Sequence, residues 1–412
     1  MKAVVFTLGC KVNSCESSAL LKGLKDLGYE VCEDLTFADV YIINTCAVTK
    51  EAEKKSRQAV ARVKKQNPNA KIIVTGCASE RDADSFLGKD GVEVVTGTSS
   101  KEKILELLDK KGKFVFSPET SYHELPLPET TKTRAFVKIQ DGCNNFCSYC
   151  IIPYLRGRSR SRAPSSILNE INLLNPLETV LTAINLSAYN FEGQTLTDLI
   201  KLLGGVKTRI RLGSLEENVI TEDFLIALSN LYDFAPHFHL SLQSGSDKVL
   251  KAMNRKYTSE EFRRGVELIR KYFPNAGITT DVIVGYPTET DSDFEDSYNF
   301  IKEIGFSDIH AFNFSPREGT VAYKLKDIDG CVKKERLNRL LELKEISKSS
   351  FISKNTQTFQ YVIIEEFDGE FSVGYTANYI KVYLKGELKP NKYKVKILSK
   401  FKDGALAEIQ GD

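Results

Sequence analysis

The chain has 412 residues, 42% apolar and 27% charged, with 57 Lys and Arg against 55 Asp and Glu. That length excludes one ordinary core and predicts two to four domains, while the charge balance excludes nucleic-acid binding driven by net charge, so any basic face must be local. No stretch approaches a membrane span, the N-terminal apolar run is too short for a signal peptide, and an odd count of nine cysteines fits a reducing compartment, by default the cytoplasm.

Residues 1–116 alternate strand and helix patterns. Strands are expected at 3–8, 40–44, 71–75 and 92–96, with helices between them at 51–65 and 101–110. Such βαβ alternation implies a parallel sheet, whose ligands bind beyond the carboxyl ends of the strands. Cys10, Cys46 and Cys77 end the similar runs AVVFTLGC, VYIINTC and KIIVTGC. Each therefore falls just past a strand end, and the three can converge in space. The stretch 117–133, SPETSYHELPLPETTKT, holds three prolines and no periodicity, and reads as a linker.

A second alternating series fills 134–350. Six strand candidates lie at 135–140, 179–184, 208–213, 237–242, 278–284 and 308–314, with helices at 166–174, 223–231, 259–272 and 291–304. Six βα units predict a partial (β/α)6 barrel with its site at the C-terminal mouth of the strands. A loop of Cys143, Cys147 and Cys150, spaced C-x3-C-x2-C, follows the first strand and so belongs at that mouth. A helix at about 333–347 leads out. Residues 351–412 alternate apolar and polar positions, rich in Tyr, Val and Ile, and read as a small antiparallel β-barrel. Between Lys381 and Lys402 stand eight lysines and one acid, Glu387. Lys381, Lys392 and Lys394 in that strip suit phosphate contact, although lysines also blunt exposed sheet edges.

Three thiolates hold a four-iron cubane with one iron left open, and both cysteine groups have that count. For the tight loop the competing reading is structural zinc, which wants a fourth ligand that no nearby Cys or His supplies. Its open iron could chelate the amino and carboxylate groups of S-adenosylmethionine, and electron transfer would then break a carbon–sulfur bond. Tyr149 could pack on the adenine, Glu216 hold ribose hydroxyls, and Ser241 and Gln243 hydrogen-bond the cofactor; Ser246 reads as a helix cap. For the dispersed group the competing reading is ordinary burial, and Cys15, Cys32 and Cys331 read as bystanders. Arg156, Arg158, Arg160 and Arg162 alternate and could face an anionic substrate, or be paired with carboxylates. The two incomplete thiolate cages are expected to face a shared gap.

TLGCKVNSCES, INTCAVT, VTGC, DGCNNFCSYCIIPYLRGRSRSR, HLSLQSGSDKVLKAMNRKYT and DVIVGYPTET resemble the radical S-adenosylmethionine methylthiotransferases over the whole chain, the terminal barrel being similar to that family's TRAM module. TLGCKVN and NTCAVT resemble the branch that modifies N6-threonylcarbamoyladenosine in tRNA; the isopentenyladenosine branch tends toward YGCQMN and the ribosomal-protein branch toward SLGCPKN. Three positions depart from the pattern: Cys15 replaces an aromatic residue, and Ala183 and Thr288 replace glycines.

The resemblance implies two [4Fe-4S] clusters, on Cys10/Cys46/Cys77 and on Cys143/Cys147/Cys150, and S-adenosylmethionine as cofactor. A 5′-deoxyadenosyl radical would take hydrogen from C2 of adenine, and a methylthio group would be delivered from the N-terminal cluster. The tRNA anticodon arm would be gripped by Arg156, Arg158 and the terminal lysines. An electron donor such as a flavodoxin or ferredoxin and a sulfur donor are implied, and no membrane. Two alternatives stay open: a radical methylthiotransferase acting on a ribosomal-protein side chain or on isopentenyladenosine, and a non-enzymatic iron–sulfur RNA-binding protein.

Overall fold

The β-branched runs before Cys10, Cys46 and Cys77 form the middle of a six-stranded parallel sheet in the computed structural model, which describes residues 1–410 except 100, 119 and 130–132. In space the strands run Glu30–Cys32, Lys2–Thr7, Val40–Thr45, Lys71–Gly76, Val92–Thr96, Gly112–Phe114. The first and last, three residues each, were too short to show a pattern in the sequence. Successive side chains in a strand point to opposite faces. Tyr41, Ile43 and Val74 accordingly join one core with Val60 and Val63 of the helix Lys50–Gln66. Ile42 and Ile73 join another with Leu20 and Leu24 of the helix Lys11–Asp26. The expected α-helix at 101–110 is instead the 3-10 helix Lys101–Leu107. Its first residue is pulled into the interior, where the Lys101 ammonium meets Glu16 and Asn44.

The six expected strands of the central unit are Arg134–Asp141, Glu178–Ala183, Arg209–Leu212, His237–Gln243, Gly277–Val284 and Asp308–Asn313. They hydrogen-bond as two four-stranded sheets, and the break falls at Gly213. The run 208–213 thus stops at Leu212, and Ser214–Leu215 pairs onward with the His237–Gln243 strand. A Cβ on Gly213 would lie 3.1 Å from the Leu181 carbonyl, so this turn needs the bare backbone. The helices Pro164–Leu174, Glu222–Ser229, Ser259–Tyr272 and Asp291–Ile304 supply buried residues to the core they share with these strands. Thr258 and Thr290 start the last two with capping boxes. The exit helix, Gly330–Asn355, is longer than expected.

The terminal strands Phe359–Phe367, Phe371–Thr376, Lys381–Lys385, Lys392–Phe401 and Gly404–Ile409 close into a barrel. Its core includes Val362, Ile364, Val382, Val395 and Ile397. Between Phe371–Thr376 and Lys381–Lys385, Tyr379 takes a φ of 73° and turns the chain. One detail differs from expectation: the barrel is not wholly antiparallel, since Lys381–Lys385 pairs parallel with Gly404–Ile409. This barrel sits against the amino ends of the central strands. Arg211 donates to the Thr376 and Ala377 carbonyls at 3.1 Å each, and a Cβ on Gly277 would lie 2.2 Å from the Asn378 carbonyl.

Candidate active site

Parallel register brings the dispersed cysteines together. Thr7 pairs with Asn44 and Thr45 with Gly76, so the loops after the three strands leave side by side. Strand order reverses between Lys2–Thr7 and Val40–Thr45, which is the switch point where open α/β sheets bind ligands. Cys10 and Cys46 follow the two strands that flank it. Gly9, at a φ of 104°, lets the chain pass Cys46 closely: a Cβ there would lie 2.9 Å from the Cys46 sulfur. Asn13 donates to the Leu8 and Thr45 carbonyls and locks the two loops together. Cys10 is exposed, while Cys46 and Cys77 are buried. Burial pushes the Cys46 thiol up to about 11 and raises Cys77, where the Arg156 guanidinium opposes the rise.

The tight loop is clamped by the segment after the helix Asp247–Ala252. Asn254 donates to the Asn145 and Phe146 carbonyls, and the Ser148 amide donates to the Met253 carbonyl at 3.0 Å. Two side-chain N–H donors reach the sulfurs: Arg255 Nη1 lies 3.3 Å from Cys147 Sγ, and Asn185 Nδ2 lies 3.8 Å from Cys143 Sγ. Burial raises the Cys143 thiol and pushes Cys150 up to about 12. Among the described residues, the one group of three potential ligand atoms within 4.8 Å of each other is His239, Asp281 and His310. Neither cysteine trio is gathered that closely. Zinc, with Zn–S bonds of about 2.3 Å, would hold its sulfurs roughly 3.8 Å apart. The wider spacing and the all-thiol donor sets fit iron–sulfur cubanes instead.

Glu216 stands beside the loop, accepting from Asn145 (2.6 Å) and Asn185 (3.3 Å) and paired with Arg255 at 3.0 Å. The Ser241 carbonyl accepts from Arg255 and from the Tyr257 hydroxyl. Gln243 is buried and ends its strand at a φ of 69°. Tyr149 packs, half-buried, against Val249, Met253, Tyr286 and Phe314. Ser246 does stand at a helix start, but its hydroxyl donates to Asp293 instead of capping. Sequence reasoning missed Arg255, Asn185 and Asn254. Arg255 lies in the NRKYT end of HLSLQSGSDKVLKAMNRKYT, and no periodicity marks it as a partner of a loop over a hundred residues earlier.

A cavity of about 680 Å³ opens inside the central barrel. Cys10 and Lys11 line it from the N-terminal sheet, Thr182, Ala183, His239, Asp281 and His310 from the barrel, and Tyr375, Tyr379 and Lys381 from the terminal unit. Burial raises the Asp281 carboxyl, but hydrogen bonds with the His239 and His310 rings, at 3.1 and 3.3 Å, outweigh it and hold the group well below the usual carboxylate range. Cys147 lines a separate recess of about 100 Å³ with Asn145, Glu216, Asn254, Arg255 and Tyr257. The expected single gap is therefore two spaces. Asn185, two residues beyond the cavity-lining Ala183, contacts Cys143 and the recess-lining Glu216.

The arginine series is mostly spoken for. Arg156 is not an RNA contact: it is fully buried, donating to Glu16 (2.8 Å), Asp141 (3.1 Å) and Asn13 (2.7 Å). Lys138 and Lys101 complete this network between the N-terminal sheet and the barrel. Arg160 pairs with Asp141, and Arg162 with Glu170 and Glu124. Arg158 stays exposed, 4.5 Å over the Phe146 ring. The terminal lysines also divide. Lys381 pairs with Asp403 in the cavity wall, Lys392 bridges to Asp233 of the central unit at 2.6 Å, and Lys394 lies over the exposed Phe359 ring.

Residues 2–97 match the family described as uncharacterized protein family UPF0004, and residues 137–301 match the radical SAM superfamily. With the half-open parallel barrel and its three-cysteine loop, this defines a radical S-adenosylmethionine enzyme with a UPF0004 unit ahead of the barrel. The fold is shared with the radical S-adenosylmethionine methyltransferase TsrM from Kitasatospora setae, at a TM-score of 0.57 and 14% identity, covering 76% of this chain and 75% of that one. A threonylcarbamoyladenosine tRNA methylthiotransferase (MtaB) of Bacillus subtilis strain 168 is 40% identical over 97% of this chain and 94% of its own. A tRNA-2-methylthio-N(6)-dimethylallyladenosine synthase of Thermodesulfovibrio yellowstonii is 34% identical over 98% and 94%. The chain belongs to the radical S-adenosylmethionine methylthiotransferase family, which implies a [4Fe-4S] cluster and S-adenosylmethionine. Among the described residues, no helix is long and apolar enough to cross a membrane.

Proposed function

We propose that the chain places a methylthio group on C2 of N6-threonylcarbamoyladenosine beside the anticodon of tRNA. The observation that carries this reading is the cavity walled by Cys10, the barrel interior and the terminal barrel together. It is large enough for a nucleobase turned out of a loop, and its rim holds a sulfur ligand. The MtaB relatives named for this nucleoside, at 34–41% identity, support the choice of substrate.

Cys143, Cys147 and Cys150 would hold the cluster that meets S-adenosylmethionine, and Cys10, Cys46 and Cys77 a second one. Together these groups supply a carbon radical for C2–H removal and the sulfur that replaces the hydrogen. The chain's residues place and shield. Asn185 and Arg255 give N–H donors to the loop sulfurs, as outer hydrogen bonds commonly do at such sites. Glu216, Ser241, Gln243 and Tyr149 border the cofactor's place. The Arg156–Glu16–Asp141 network fixes the two cysteine groups relative to each other.

Residues 1–116, 134–350 and 351–412 act as three units, the first two joined by 117–133. Lys394, with the exposed Phe359 and Tyr361 on the neighbouring strand, offers a cation and ring faces to the anticodon arm, as does Arg158 over Phe146. Electrons come from a small carrier such as a flavodoxin or ferredoxin, and sulfur from a separate donor, in the cytoplasm. Mass spectrometry of tRNA nucleosides from cells with and without the protein tests the proposal. Loss of 2-methylthio-N6-threonylcarbamoyladenosine is expected. Loss of only the isopentenyl product, or of neither, overturns it.

A further inference from the structure

Nearly every charged group in the cavity wall is matched by an opposite one. Arg211 is held by Glu178, Lys348 by Asp308 and Lys381 by Asp403, while the Asp281 carboxylate is shared by two imidazoles. Lys11 is the exception. Among the described residues it has no hydrogen-bond or ion-pair partner, yet it lines the cavity directly after Cys10. Arg134, Arg211 and Glu178 all act on it electrostatically, but Glu178 is already bonded to both guanidiniums, so no carboxylate is left over for Lys11. A lone cation in a walled cavity, with its neighbours' charges already used, is built for an anion that arrives from outside.

We propose that Lys11 binds an anionic group of the substrate, the α-carboxylate of the threonylcarbamoyl arm, and thereby selects that nucleoside over ones with an uncharged N6 substituent. This rests on the function proposed above. The base must bring C2 to the sulfur held near Cys10, and Lys11 stands on the next residue, so its flexible four-carbon stem can reach a group on the far edge of the same ring. Lys11 is exposed in the free chain, and an isopentenyl arm would cover its ammonium with nothing for it to meet, which is how a polar site rejects an apolar analogue. A backbone phosphate of the anticodon loop offers the same charge, so the test must separate the two anions.

Fluorescence anisotropy would compare the reconstituted holoenzyme, without reductant, on anticodon stem-loops carrying either N6-threonylcarbamoyladenosine or plain adenosine. The wild type should prefer the modified arm. Lys11→Gln should weaken binding of the modified arm by about tenfold or more and leave the plain arm as before, erasing the preference. Lys11→Arg, which keeps the charge, should retain it and so separate loss of the cation from disturbance of the adjoining cysteine. Equal losses on both arms would assign Lys11 to a phosphate, and undiminished preference in Lys11→Gln would remove it from recognition; either overturns the inference while leaving the proposed function intact. A wild type that neither prefers nor converts the modified arm would instead overturn the function itself.

Discussion

Arg156 carries no exposed charge, yet it determines more of this molecule than any arginine on the surface. Its guanidinium joins Glu16 and Asn13 of the helix Lys11–Asp26 to Asp141 at the end of a barrel strand. Breaking such a buried set from one side leaves carboxylates without a counter-charge, so Arg156→Leu should cost about 3–5 kcal/mol of stability at neutral pH, measured by denaturant unfolding. The pH dependence has a definite sign. Burial raises Glu16 and Asp141, but the surrounding cations outweigh it and hold both below their ordinary range. Their contribution is therefore complete above the unfolded value near 4 and is lost as pH falls through the lower folded values. The gap between wild type and Arg156→Leu should be widest near neutrality and shrink in acid. The two cysteine groups separate by activity: Cys147→Ala should abolish 5′-deoxyadenosine formation, whereas Cys46→Ala should spare it and stop methylthio transfer.

Elements explain which parts of the molecule could be read in the sequence. Val40–Thr45 and Lys71–Gly76 were legible because a buried parallel strand is a continuous apolar run, and the cysteine after each inherits its place from the sheet. Ser259–Tyr272 and Asp291–Ile304 were legible from their apolar spacing. Packing between distant elements left no such trace. Arg255 meets Cys147 only because distant parts of the barrel close on each other, and Glu16 meets Arg156 only because two domains fold together. The lysine strip misled for the same reason: composition showed eight cations, but Asp233, Asp368 and Asp403 claim three of them. Lys394→Glu combined with Tyr361→Ala on the terminal strands should weaken anticodon-arm binding, and the slope of log affinity against log salt should shrink by about one for each phosphate the variant no longer neutralises.

At the scale of the whole molecule the terminal barrel is wall as well as the proposed RNA surface. The Asn378 carbonyl fills the place of a side chain at Gly277, and the Thr376 and Ala377 carbonyls accept from Arg211. Removing residues 356–412 would strip partners from a buried guanidinium as well as delete a binding face. The truncated chain should therefore be less stable than any surface variant of the barrel, as thermal unfolding of the two would show. Iron analysis bears on the molecule as a unit too. Anaerobically reconstituted protein should hold about eight irons per chain, and each of Cys46→Ala and Cys147→Ala about four.

Tyr375, Lys381 and Gly404 come late in the chain, yet they border the same space as Cys10. On the ribosome the first cysteine emerges hundreds of residues before the strands that close the chamber around it. Until synthesis is nearly finished, any metal loaded at the leading end stays open to oxygen and stray thiols, so cells gain by delaying cluster delivery until after chain release.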